Sequence, residues 1–228
     1  MTEVIPAVLA KDINDLRQKI ANVVNVAKVV QIDICDGKFV ESTSWPMGYY
    51  DKESVALILD EEEGLPYWEN VDFEFDLMVK NAIKQFDFFT RLGPKRIIFH
   101  LEAEDQNELK DFINAIDPYT RELVEIGIAI NTTTDIEKLS PLINSIDFVQ
   151  CMGIEQIGFQ GQKFDERVLD QIKSLRSKYS DIIISVDGSV NEDTAPLLVG
   201  AGADRLVAGS VLIKSFDVRE TIKELENL

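Results

Sequence analysis

KVVQIDICDG, residues 28–37, alternates apolar and polar side chains. Val30, Ile32 and Ile34 share one face and Gln31 and Asp33 the other, which is the two-residue repeat of a β-strand and not the period of a helix. A carboxylate is expensive to bury without a partner, so the apolar face must meet the outer layer and the polar face an interior that can serve Asp33. FEFDLMV, residues 73–79, repeats the arrangement, with Phe73, Phe75 and Leu77 outward and Glu74 and Asp76 inward. IIISVDG, residues 182–188, carries Asp187 at its carboxyl end.

Working outward, β-rich runs alternate with amphipathic stretches along the whole chain. Strands are predicted at Val4–Leu9, Val29–Ile34, Phe73–Met78, Arg96–Leu101, Ile126–Ile130, Phe148–Met152, Ile182–Val186 and Arg205–Ala208. Helices are predicted at Asp12–Val24, Asn81–Arg91, Asn107–Ile116, Thr134–Ile143, Asp165–Lys178, Asn191–Gly200 and Asp217–Leu228. The less regular stretch Asp51–Asn70 reads equally as a lid, a helix or an interface. Such alternation implies parallel strands joined by crossover helices. No G-x-G-x-x-G turn follows the first strand, which argues against an open dinucleotide-binding sheet. The expected fold is α/β, a single (β/α)8 TIM barrel over residues 1–228, with its site where the strands end and the βα loops begin.

The chain has 228 residues, 45 % of them hydrophobic, enough for one large core. It contains no apolar run of about 18 residues and no basic, then apolar, leader, so a cytoplasmic protein is expected. Cys35 and Cys151 sit at strand ends and are expected as reduced thiols. A net charge of −18 disfavours nucleic acid and anionic membranes as partners. The acidic run Asp60–Glu63 reads as a solvated loop or helix end. Any phosphate ligand must be held against this field by local backbone N–H groups and helix N-termini.

Barrel closure would bring Asp33, Asp76 and Asp187 toward one mouth. Converging carboxylates repel unless a cation or shared protons relieve them, or unless each caps a loop or pairs with a lysine. His100 is the only histidine, so no two-histidine metal site can form; alone in a strand, it reads as a packing residue or a ligand. Asp36 and Gly37 read as turn chemistry. Gly158 and Gly161, Gly188, and Gly209 follow three successive predicted strands, where glycine lets N–H groups approach an anion closely. With the hydroxyls of Ser189 and Ser210 they form the expected phosphate site.

Read together, these segments resemble the ribulose-phosphate 3-epimerase family through nearly the whole chain. VIPAVLAKD resembles its first strand, QIDICDGKFV its second, DLMV its third and FHLEAE its fourth. MGIEQIGFQGQKF resembles its Gly-rich loop, SVDGSVNEDTAPLLVGAGAD its seventh unit and LVAGSVLIKS its phosphate-binding end. The resemblance implies epimerisation of a ketopentose phosphate at C3, with Asp33 and Asp187 as the two proton-transfer residues and a metal stabilising the enediolate. The family holds that metal with two histidines and these two aspartates; here Gln31 and Asp76 occupy the histidine positions. Gln31, Asp33, Asp76 and Asp187 then form an all-oxygen set, which suits magnesium or manganese in place of zinc or iron. Ala7, Cys35, Met78, His100 and Met152 are the expected pocket residues, with Ala7 replacing a serine and Cys35 a methionine. Trp45, in the loop after the second strand, is a candidate cover for the substrate. D-ribulose 5-phosphate or a related hexulose phosphate is the implied substrate, and a homo-oligomer the implied assembly. A barrel that binds a sugar phosphate without turning it over is the competing reading, favoured by the absent histidines; a decarboxylase is disfavoured because EFDLMV has no lysine in place of the family histidine.

Overall fold

In the computed structural model, which describes residues 2–48 and 51–228, eight parallel strands close into a barrel in the order of the sequence. They are β1 (Glu3–Val8), β2 (Val29–Cys35), β3 (Asp72–Met78), β4 (Arg96–His100), β5 (Glu125–Ile130), β6 (Phe148–Met152), β7 (Ile183–Asp187) and β8 (Arg205–Ala208). The alternation read in β2 and β3 sorts their side chains as expected. Val30, Ile32, Ile34, Phe73, Phe75 and Leu77 pack in the main core between sheet and outer layer, while Gln31, Asp33, Glu74 and Asp76 are buried without belonging to it.

The outer layer follows local chemistry. Asp12 caps α1 (Ile13–Ala21), its carboxylate accepting from the N–H groups of Asn14 and Asp15, and Asp105 caps α4 (Gln106–Ala115) in the same way. Between them lie α2 (Lys52–Leu59) and α3 (Phe86–Arg91). The stretch Asp51–Asn70 is thus helical in its first part. The helix expected over Asn81–Arg91 is split into a 3-10 turn, Ala82–Gln85, and α3. Two helices fall outside the sequence reading: α5 (Pro118–Leu123), which starts on a proline suited to a first helical turn, and α8 (Ser210–Lys214). Elsewhere α6 (Arg167–Lys178), α7 (Ala195–Ala201) and α9 (Val218–Glu226) match expected helices. The helix expected over Thr134–Ile143 is only a 3-10 turn, Ile136–Leu139. Pro141 supplies no N–H and its ring would clash with the carbonyl four residues back, which stops an α-helix there. Among the described residues no helix is long and apolar enough to cross a membrane.

The amino-terminal end of the barrel interior is closed by an ionic layer. Arg96 reaches Glu74 at 3.0 Å, Glu125 at 3.2 Å and Glu3 at 3.3 Å, and Arg205 reaches Glu3 at 2.9 Å. The Arg205 guanidinium also lies over the Phe148 ring, 5.0 Å from its centre. Glu74, which faces inward like the acids of the mouth, belongs to this layer. Removing one partner of a buried pair leaves an uncompensated charge, so Arg96→Met should lower stability by about 3–5 kcal/mol. Urea unfolding checks this, and adding Glu74→Gln to the same chain should recover much of the loss.

Candidate active site

At the opposite end, strand register builds the site. β2 and β3 pair so that Asp33 lies directly opposite Asp76, and β1 sets Ala7 beside Gln31. β7 ends on Asp187, opposite Met152 of β6. Carboxylate oxygens of Asp33, Asp76 and Asp187 all lie within 4.8 Å of one another. Asp33 and Asp76 are buried, and Asp187 keeps part of its surface open at the mouth.

Two side chains serve these acids. The Gln31 amide nitrogen donates to Asp33 Oδ1 and to Asp187 Oδ2, at 2.8 Å each. His100 Nε2 lies 2.9 Å from Asp76 Oδ1, and its ring packs against Phe39 with centres 5.5 Å apart. Burial, then the charge of Asp76, pushes the Asp33 carboxyl up to about 7 against the pull of the Gln31 hydrogen bond. Burial, then Asp33 and Asp76, raises the Asp187 carboxyl well above the ordinary range. Burial works against a charged imidazole at His100, but the adjoining Asp76 outweighs it and the His100 value is raised. Two acids held this close, with both values raised, favour one protonated and one ionised carboxyl.

The donor set fits a hard divalent cation. Three carboxylates converge, and Asp76 Oδ2 is buried without a hydrogen-bond partner among the described residues. Gln31 Oε1 is likewise buried and unpartnered, and it is the nitrogen of this amide that meets the acids.

Beside the acids a cavity is lined by all six residues expected to hold phosphate: Gly158, Gly161, Gly188, Ser189, Gly209 and Ser210. The loops after β6 and β7 meet backbone to backbone. Gly153 N–H donates to Asp187 O at 2.6 Å, and a Cβ on Gly153 would stand 2.3 Å from Gly188 O, so only glycine fits. Gly188 and Ser189 both have left-handed backbone, with φ of 106° and 57°, which turns the chain sharply at the strand end. The Ser189 hydroxyl donates to Gln162 O at 3.1 Å and so joins the seventh loop to the sixth.

Ala7, Met78, Met152, Asp33 and Asp187 also line this cavity. Cys35 and His100, expected in the pocket, do not: both are fully buried, Cys35 packed in an apolar cluster with Met78 and Met152. Burial pushes the Cys35 thiol up to about 12, so it stays protonated and unreactive near neutral pH. Trp45, a candidate cover from sequence, is fully buried in the main core and covers nothing at the mouth. Sequence reading missed Gln160 and Gln162, which line the cavity from the Gly-rich loop; the Gln160 amide reaches Ala7 O at 3.4 Å. Polar side chains flanking Gly161 were the available signal.

Comparison with known proteins identifies the family and the fold. The profile of the ribulose-phosphate 3 epimerase family matches residues 3–213. The chain is 29 % identical to ribulose-phosphate 3-epimerase of Bacillus subtilis, covering 99 % of this chain and 98 % of that one. It is 30 % identical to the Helicobacter pylori (strain 26695) enzyme of the same name, covering 99 % and 97 %. Among solved structures it superposes on a ligand complex of KGPDC from Streptococcus mutans with a TM-score of 0.70, at 13 % identity over 99 % of this chain and 96 % of that one. A 3-hexulose-6-phosphate synthase gives 0.67 at 16 % identity, over 100 % and 99 %. At such identities these two structures speak for the fold alone. Sequence motifs, barrel and family profile agree: this chain belongs to the ribulose-phosphate 3-epimerase family.

Proposed function

We propose that the protein interconverts D-ribulose 5-phosphate and D-xylulose 5-phosphate through proton transfer by Asp33 and Asp187. The observation that carries this reading is the pairing of those two acids, at the mouth of the barrel and beside the cavity of the three glycine-bearing loops. Epimerisation needs an ionised carboxylate on one face of C3 and a protonated carboxyl on the other. The raised values of this pair supply that combination. The ionised acid takes the C3 proton, the electron pair delocalises as the enediolate, and the protonated acid returns a proton from the opposite face. Each acid ends in the state its partner began in, so the reverse reaction starts from the exchanged pair.

Phosphate is assigned to Gly158, Gly161, Gly188, Ser189, Gly209 and Ser210, whose backbone N–H groups, with the Ser210 hydroxyl, offer the donors that a chain of net charge −18 otherwise lacks. Met78 and Met152 flank the sugar with apolar surface, and Gln160 is placed to meet a hydroxyl. Asp33, Asp76 and Asp187 are the residues that would hold a magnesium or manganese ion; Gln31, expected from sequence as a fourth oxygen donor, turns its amide nitrogen to these acids instead. Such an ion, when bound, would offset charge on the substrate oxygens.

Incubation with D-ribulose 5-phosphate in deuterated water should give D-xylulose 5-phosphate carrying deuterium at C3; binding without exchange would overturn the reading. Asp33→Asn and Asp187→Asn should each lower turnover by about 10²–10⁴-fold, measured by coupled assay.

The acids also leave a mark on stability. In protein freed of divalent cations, Asp33 has a folded value of about 7 against an ordinary 3.8. Its contribution is therefore complete below the ordinary value and is lost progressively as pH rises through the folded one. Urea midpoints of the wild type should fall over this range relative to Asp33→Asn, and parallel curves would show that Asp33 does not titrate there.

A further inference from the structure

We propose that Gln31 is a positioning residue, a clamp whose amide nitrogen ties Asp33 to Asp187 and which a cation sharing those carboxylates must displace. An amide NH2 has two donors, and here one nitrogen stands 2.8 Å from an oxygen of each acid, Asp33 Oδ1 and Asp187 Oδ2. Hydrogen bonds to carboxylates are the stronger kind, and the two together span β2 and β7, strands on different sides of the barrel. The oxygen of the same amide is buried with no partner among the described residues, so the nitrogen's contacts are the ones the fold satisfies. Ala7, the β1 neighbour of Gln31, is small, and the adjoining Asp76 is engaged by His100.

The clamp bears directly on metal binding. A cation among Asp33, Asp76 and Asp187 would face the positive ends of two N–H dipoles if the amide stayed in place. Turning the amide over, so that Oε1 faced the cation, would forfeit both hydrogen bonds. The first course opposes the cation directly, and the second sets the loss of two charge-assisted hydrogen bonds against one new oxygen contact, so binding is weaker than at a site without the donor. The resting pair is thus held by the chain itself, independently of whether a sugar phosphate is turned over.

Two measurements on the intact protein test this. In chelated, nitrogen-15-labelled protein the Gln31 amide protons, identified by their loss in Gln31→Met, should resonate downfield of the exposed glutamines. Asp33→Asn should move one of them and Asp187→Asn the other. Signals coincident with exposed glutamines, or indifferent to both substitutions, would overturn the clamp. Manganese binding followed by calorimetry should tighten about tenfold in Gln31→Met, since the competing donors are gone. Gln31→Asn keeps the amide but is one methylene too short to span both acids, and should shift binding the same way if Gln31→Met fails to fold. Weaker, equal or absent manganese binding in the variant that folds would make Gln31 a ligand or a bystander and overturn the competition.

Discussion

Three carboxylates in one low-dielectric mouth are the constraint on which the rest of this structure turns. Asp33, Asp76 and Asp187 approach within 4.8 Å, a distance at which like charges cannot all persist without relief. The relief visible in the fold is two donors, Gln31 between Asp33 and Asp187 and His100 on Asp76. Neither carries a permanent charge, so neither compensates the acids fully. Burial first, and then that shortfall, raises the values of Asp33 and Asp187.

The two ends of the barrel interior make the contrast plain. Both are polar and both descend from the same strand alternation. At the amino-terminal end Arg96 and Arg205 lie within ion-pairing distance of Glu3, Glu74 and Glu125, two cations among three acids, and burial pushes Glu74 up to about 7 despite Arg96. That layer is structural. At the carboxyl-terminal end no guanidinium pairs with the acids among the described residues, and burial and the neighbouring carboxylates raise Asp33 and Asp187. One face of β3 serves both ends, with Glu74 below and Asp76 above, two residues apart.

The proposed substrate sets a second electrostatic difficulty for so acidic a chain, because a sugar phosphate is itself anionic. Backbone geometry answers it locally. Gly153 allows the sixth and seventh loops to touch, Gly188 and Ser189 turn left-handed at the strand end, and Gly209 leads into α8. Donors arranged in this way need no lysine or arginine, and neither lines the cavity, whose loop residues include glycine, serine and glutamine.

Much of this was legible in the sequence, for a local reason. Side chains alternate across a strand whatever the partners, so the inward direction of Gln31, Asp33, Glu74 and Asp76 could be read from β2 and β3 alone, and glycine marks sharp turns wherever it falls. The barrel and the six glycine and serine residues that line the cavity came from those two signals, and the family from the order of its motifs. What the sequence left open concerns pairing through space. Trp45 was as polar-loop-like in sequence as any lid residue, yet it fills the core. Pro141 stopped a helix that periodicity favoured. Gln31 was readable as a residue facing inward with an oxygen to offer, but which end of its amide meets the acids depends on Asp187, 156 residues away. His100 likewise found Asp76 and not the pocket. Direction is a property of the strand, whereas the choice of partner is made only when the barrel closes and sets β7 across from β2.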